Sequence, residues 1–260
     1  SGSGIDFDTR LRRRRQMGVR DGWMTWDSQG GGDPPPELWN RVDGGGVAAV
    51  ALQETRAHAP TGWGKKNVVF SSLGTPQQAG VALVIPAWVF TKLGAKVEST
   101  EQKTIEGRCI SISLPLLLPE EKTPRRLVIT NVYRPVNASE KPEFDAKFKE
   151  TIREWGIGEG DIHICLGDFN GTLSPLDQLG GGQSVTDPGL ASISSELSLV
   201  DAIRKAHPEK RLATRRGYAN QRWRRIDYIF HQIPSGTHVK TLGVRFIPSR
   251  SDHHYVVGAF

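Results

Sequence analysis

Short apolar runs alternate along the chain with polar, Gly-rich and Pro-rich breaks. Eight of them read as strands: "VAAVALQ" (47–53), "NVVFSS" (67–72), "GVALVIP" (80–86), "RCISISLP" (108–115), "RLVITNVY" (126–133), "DIHICLG" (161–167), "RIDYIFH" (225–231) and the terminal "HHYVVGAF". Val and Ile dominate them, and each stops at Gly, Pro or a polar cluster, which is the signature of strands. A different period governs 142–155, where Phe144, Phe148, Ile152 and Trp155 recur at helical spacing with charge between them, behind a Pro142 that suits a first turn. That spacing predicts a surface helix with one buried face. A second helical region is predicted from Leu190 to Lys205, and the Gly clusters at 30–32, 44–46 and 180–182 read as loops. No repeat or long linker divides the chain. Many strands and few helices predict sheet packed on sheet with helices over the outer faces, and loops at the strand ends as the place for polar chemistry.

Composition adds limits. A chain of 260 residues with 37% apolar content can bury a large core, which excludes general disorder. The net charge of +6 is modest, but much of it is concentrated in "RLRRRR" (10–15) and "KRLATRRGYANQRWRR" (210–225), so polyanions are the candidate partners. Cys109 and Cys165 lie in apolar runs, and neither a disulfide framework nor zinc spacing is present. No run is long enough to span a bilayer, and no apolar secretory core follows the N-terminal arginines, so a soluble, intracellular protein is expected. The opening "SGSG" reads as a cloning remnant.

Four acidic clusters follow or interrupt apolar runs: "ALQET" with Glu54, "LGDFN" with Asp168 and Asn170, "RRIDYIF" with Asp227, and "SRSDHHYV" with Asp252 and His253. Singly, each reads more readily as a turn cap or a structural ion pair. Together they form a chemically coherent set. A hard cation such as Mg²⁺, with Mn²⁺ as the alternative, takes oxygen ligands, and Glu54 fits that role. Phosphodiester cleavage also needs a group to orient or deprotonate water and groups to stabilise charge at phosphorus, for which Asp168, Asn170 and His253 are the candidates. Asp227 is the candidate carboxylate partner that would keep His253 positively charged near neutral pH.

These residues resemble the exonuclease–endonuclease–phosphatase superfamily, most of all the apurinic-type endonuclease domains of LINE (non-LTR) retrotransposons. "LQET" is similar to the family's metal-binding strand, "NVYRP" to its tyrosine strand, "GDFNGTLSPLDQ" to its base motif and "SDHH" to its terminal Asp-His, while "LVDAIRKAHPEKRLATRRGYANQRWRRIDYIF" shares the retrotransposon order of helix, "HP", Thr and "IDYI". The resemblance implies a four-layer α/β sandwich of the apurinic endonuclease and deoxyribonuclease I type, in one domain over 21–260 behind a basic arm or cloning remnant at 1–20. It implies that Glu54 and Asp252 hold the metal, that Asp168 and Asn170 handle the attacking water, and that His253 with Asp227, and Tyr133, reach the scissile phosphate. Thr214 matches a threonine preceding a DNA-contacting hairpin, or is an ordinary β-branched strand residue. The activity implied is a Mg²⁺-dependent endonuclease that nicks one strand of double-stranded DNA, in the nucleus, as part of a polyprotein with reverse transcriptase and RNA-binding regions.

The chain also departs from the family pattern. "TWDSQG" places Asp27 and Gln29 where the family has Asn and Asn or Asp, so Asp27 is either an extra metal ligand or the acid ahead of a Gly-rich turn. Tyr255 replaces a Pro after "SDHH", and Asn137 comes one residue late after "NVYRP". The basic stretch supplies the expected DNA-facing set: Arg215, Arg216, Arg222, Arg224 and Arg225 around Tyr218 and Trp223, suited to phosphates and to a groove or an unstacked base, with a solvated basic hairpin as the plain alternative. An abasic-site repair nuclease and a nucleic-acid-binding module with a decayed site are the competing readings. No membrane loop or motif of a lipid-directed phosphatase is found.

Overall fold

The computed structural model describes residues 22–28, 42, 46–63, 66–116, 125–180, 185–216, 223–234, 245–247 and 251–259. The expected arm at 1–20, Gln29, Tyr218 and Arg222 lie outside them.

One six-stranded sheet contains β1 (Gly22–Asp27), β2 (Ala49–Gln53), β3 (Asn67–Ser72), β4 (Val81–Pro86), β13 (Arg245–Ile247) and β14 (Tyr255–Ala259), in the order β13-β14-β1-β2-β4-β3. The other contains β5 (Glu101–Ile105), β6 (Cys109–Leu116), β7 (Arg125–Tyr133), β8 (Ile162–Asp168), β10 (Val200–Asp201) and β12 (Asp227–Gln232), in the order β10-β12-β8-β7-β6-β5. A small ribbon pairs β9 (Gln178–Leu179) with β11 (Trp223–Arg224). Among the described residues, the α-helices are α1 (Ala87–Leu93), α2 (Lys141–Arg153), α3 (Pro188–Glu196) and α4 (Ala202–Ala206). The two sheets pack face to face, β1 over β8 and β12, and β2 over β7 and β8.

Strand alternation divides the apolar residues into layers. On β2, Ala49 and Ala51 enter the core between the sheets, while Val50 and Leu52 turn outward to Val42 and Trp63. On β7, Leu127 and Ile129 face inward, and Val128 and Val132 face outward beneath Phe144, Phe148 and Ile152 of α2 and Leu190 and Ile193 of α3. Because both faces are covered, the middles of these strands carry apolar residues on both sides, which is why they appear in the sequence as continuous runs.

The helix expected over 142–155 is α2, ending at Arg153. The region expected as helix from Leu190 to Lys205 is broken in two. Ser198 adopts φ 51, and Val200 and Asp201 pair with His231 and Phe230 of β12. Asp201 then caps α4, accepting from the amides of Ile203 and Arg204. A cap and a strand pairing outcompete helix continuation here. Other elements were not legible from periodicity, among them β1, the two-residue strands β9 and β11, β13, the edge strand β5 with its exposed polar residues, and α1, whose apolar residues run straight on from β4.

Two pairings decide where the chemistry sits. β1 and β2 are parallel, as are β7 and β8, so the C-terminal ends of all four strands lie at one edge of the sandwich. β12 is antiparallel to β8 and β14 to β1, so both begin at that same edge.

Candidate active site

At that edge the inward-facing row of the sandwich runs out of apolar residues. The inward positions of β1, β2, β7, β8 and β12 include Trp23, Ala51, Ile129, Leu166 and Ile229, and the outermost members of the same rows are Asp27, Gln53, Tyr133, Asp168 and Asp227. They are also neighbours across the strands: Asp27 pairs with Gln53, and Asp168 lies between Tyr133 and Asp227. The site is therefore the core-facing side of both sheets, continued in polar residues. A glycine beside it is obligatory. Gly167 has φ 143, and a Cβ there would lie 2.0 Å from the Val132 carbonyl oxygen.

Asp27, Asp168 and His253 are all buried and offer ligand atoms within 4.8 Å of one another. His253 donates from Nδ1 to both carboxylate oxygens of Asp227, at 3.0 and 3.1 Å, which fixes the orientation of the ring beside Asp27 and Asp168. Asp252 Oδ1 lies 3.8 Å from His253 Nε2, while Asp252 Oδ2 accepts from Arg215 Nε at 3.0 Å. Opposite, the Tyr133 hydroxyl donates to Glu54 Oε1 at 2.5 Å. Asn170 donates from its backbone amide to Asp168 Oδ1 at 2.7 Å and from its side chain to the Arg134 carbonyl at 2.8 Å. Glu54 and Asn170 both occupy the left-handed region, with φ 54 and 44, a conformation that non-glycine residues hold only where their surroundings enforce it.

The electrostatics follow from burial without full compensation. Burial and the charges of Asp227 and Asp27 push the Asp168 carboxyl well above its usual range, with His253 pulling the other way. Burial opposes the imidazolium of His253, but Asp227, Asp27 and Asp168 outweigh it and raise its pKa well above 6.5. Burial, the bond to Glu54 and the nearby carboxylates push the Tyr133 phenol upward, so it remains a donor. Four carboxylates, Asp27, Asp168, Asp227 and Asp252, against the His253 imidazolium and the Arg215 guanidinium make a hard-oxygen donor set with excess negative charge, and the residues present fit a divalent cation. Asp27 belongs to this set by position, although its role was open in the sequence.

Sequence reasoning missed the bridge behind the site. Thr25 Oγ1 donates to Gln53 Oε1 at 3.0 Å, and Gln53 Nε2 donates to Asn131 Oδ1 at 2.6 Å. Asn131 Nδ2 in turn donates to the carbonyls of Leu52 and Ala82, at 2.8 Å each. All three side chains are buried, and the chain of bonds ties the two sheets together one residue behind Glu54. The available signal was a polar residue at an inward position of a buried strand.

The expected DNA-facing set divides. Arg216 is exposed and lies 5.8 Å above the Trp223 ring, which meets the His254 ring edge-on, and Arg224 is exposed on β11. Arg215 is half-buried against Asp252. Arg225 of that set, and Thr214, matched to the threonine ahead of the hairpin, require correction. Arg225 is buried, donating to Asp177 at 2.8 Å and to Asp201 at 3.0 and 2.5 Å, so its guanidinium cannot reach a nucleic acid. Thr214 is also buried. Its hydroxyl accepts from the amides of Ile226 and Asp227, at 3.0 and 3.1 Å, and so orients Asp227 rather than DNA. Asn137 lies in the turn before α2, where its Oδ1 accepts from the amide and hydroxyl of Ser139. At position 255 the backbone enters β14 opposite Ile247.

Solved structures with this architecture are informative about the fold. The catalytic domain of Xenopus laevis APE2 superimposes with a TM-score of 0.68 at 20% identity, covering 91% of this chain and 90% of that one. An AP endonuclease from Archaeoglobus fulgidus gives 0.66 at 16% identity, covering 92% and 98%. The endonuclease domain of TRAS1, a telomere-specific non-LTR retrotransposon, gives 0.62 at 14% identity, covering 92% and 97%. No protein-family model matches the sequence, and no curated protein sequence does. The chain thus shares the fold of these AP endonucleases and of this retrotransposon endonuclease domain.

Proposed function

We propose that this protein is a divalent-metal-dependent DNA endonuclease that nicks one strand and leaves a 3′-hydroxyl, serving as the target-site nuclease of a non-LTR retrotransposon polyprotein. The observation that carries the reading is the buried grouping of Asp27, Asp168 and His253, with Asp227 bracing the histidine. Asp27, Glu54 and Asp252 are the residues that would hold Mg²⁺, with Mn²⁺ fitting the same oxygen donors. Such a cation supplies Lewis-acid polarisation of a phosphoryl oxygen. Asp168 orients the attacking water and takes its proton, with Asn170 beside it. His253 presents Nε2 to the scissile phosphate, because Nδ1 is already committed to Asp227. Tyr133 keeps its proton and aligns Glu54. Double-stranded DNA lies along Arg215, Arg216, Trp223 and Arg224. Nuclear action beside reverse transcriptase and RNA-binding regions follows from the retrotransposon reading.

The AP-endonuclease likeness favours a second reading, abasic-site repair. One assay separates them. Intact supercoiled plasmid and a duplex oligonucleotide carrying one abasic analogue are each incubated with Mg²⁺ and with chelator. Plasmid nicking that needs Mg²⁺ and disappears in His253→Ala is the expected result; efficient abasic cleavage with little plasmid nicking would replace the retrotransposon reading by the repair one.

A further inference from the structure

Arg134, the residue after Tyr133, is an arginine whose side chain is 1% exposed. Its guanidinium is fully engaged. Nε and Nη2 donate to the two oxygens of Asp145, at 2.7 and 2.6 Å, and Nη1 and Nη2 donate to Asp187, at 2.7 and 3.1 Å. Lys141 joins the cluster, its ammonium 2.9 Å from Asp187 Oδ2. Two glycines make the space: a Cβ on Gly171 would fall 2.7 Å from Asp187 Oδ2, and one on Gly189 would fall 2.4 Å from Asp145 Oδ2.

Arg134 and Lys141 hold the loop that carries the candidate catalytic residues carbonyl by carbonyl, the first through a backbone amide and the next two through their cationic groups. The Asp168 carbonyl accepts from the Arg134 backbone amide at 2.9 Å. The Phe169 carbonyl accepts from Arg134 Nη1 at 3.3 Å, and the Asn170 carbonyl from Lys141 Nζ at 2.6 Å. The Asn170 side chain returns a bond to the Arg134 carbonyl. Three successive carbonyls are therefore held where Asn170 adopts its left-handed backbone, and a loop in that conformation relaxes unless its surroundings fix it.

We infer that Arg134 and Lys141 are positioning residues, which keep Asp168 and Asn170 aimed at the site through a buried ion cluster with Asp145 and Asp187. The inference deepens the nuclease reading and rests on it for its catalytic consequence, but the clamp itself can be tested without any activity. Lys141→Met is the informative change, since Lys141 is partly exposed and Arg134 keeps both of its carboxylates. Hydrogen exchange of the segment around 168–171 is expected to accelerate in this variant while the core strands remain protected. In Mg²⁺-dependent plasmid nicking, kcat is expected to fall roughly ten- to a hundredfold, as a small misplacement of reacting groups costs, with KM and duplex affinity within about twofold. In an Asn170→Ala background the same change is expected to add little, because the two residues act through one loop.

Unchanged exchange around 168–171 would overturn the clamp. Loosened exchange with unaltered kcat, or an undiminished effect in the Asn170→Ala background, would overturn the positioning role. A protein that nicks no DNA at all would refute the nuclease reading, while the exchange experiment still decides the clamp.

Discussion

The molecule buries charge in two ways. In the Arg134 cluster two cations, Arg134 and Lys141, face two carboxylates, Asp145 and Asp187. The cluster under the basic stretch has the same stoichiometry, Arg225 and Arg204 against Asp177 and Asp201. At the sheet edge four carboxylates, Asp27, Asp168, Asp227 and Asp252, face two cations, the imidazolium of His253 and the Arg215 guanidinium that Asp252 holds. The consequences run in opposite directions. Although burial opposes ionisation of Asp187, its bonds to Arg134, Leu190 and Lys141 hold it well below the usual carboxylate range, whereas burial and like charge drive Asp168 above it. A balanced cluster has satisfied itself and fixes shape. An unbalanced one holds electrostatic energy that only a bound cation or a proton relieves, and such imbalance is what a metal-dependent site requires.

The largest expected effect tests the unbalanced cluster. Asp168→Asn keeps the shape of the side chain but removes one of the crowded charges. Nicking is expected to fall on the order of 10²–10⁴-fold, the scale of a lost acid–base group, while the melting temperature holds or rises. Loss of activity accompanied by comparable destabilisation would mean that Asp168 is balanced like the others. The second change reverses the pattern. Arg225→Met leaves Asp177 and Asp201 buried without their main partner, a loss of about 3–5 kcal/mol, expected to appear as a fall of roughly 6–20 °C in Tm by thermal denaturation. A Tm within a degree or two of wild type would show that Arg225 is not the organising cation its contacts make it.

The same contrast explains what the sequence disclosed. Asp168, Asp227 and Glu54 were legible because a carboxylate at the end of an apolar run breaks the local pattern, and local pattern is what sequence shows. Strand positions were legible for the same reason, and the edge at which the strands converge required only the parallel pairings of β1 with β2 and β7 with β8. Arg225 was misread because its partners lie 48 and 24 residues away, and "RWRR" carries no mark separating the buried arginine from its exposed neighbours. The break between α3 and α4 was hidden for a related reason. Asp201 has to be seen against β12 and Arg225 before it reads as a cap. Long-range pairing, not propensity, decides these cases.

The smallest expected effect concerns the rim of the unbalanced cluster. Arg216 lies outside both balanced clusters, its exposed guanidinium over the half-buried Trp223 ring, which also meets His254. A negatively charged floor with a cationic rim suits a polyanion that must be brought toward a cation without being repelled. Arg216→Ala is expected to weaken binding to a short duplex severalfold and to reduce the slope of log affinity against log salt by about 0.9, the signature of one lost phosphate contact. Because the guanidinium is exposed, Tm should not move. A salt slope identical to wild type would place the DNA elsewhere on the surface. A drop in Tm would mean that the Arg216–Trp223 stack supports the fold, making this arginine structural as Arg225 is.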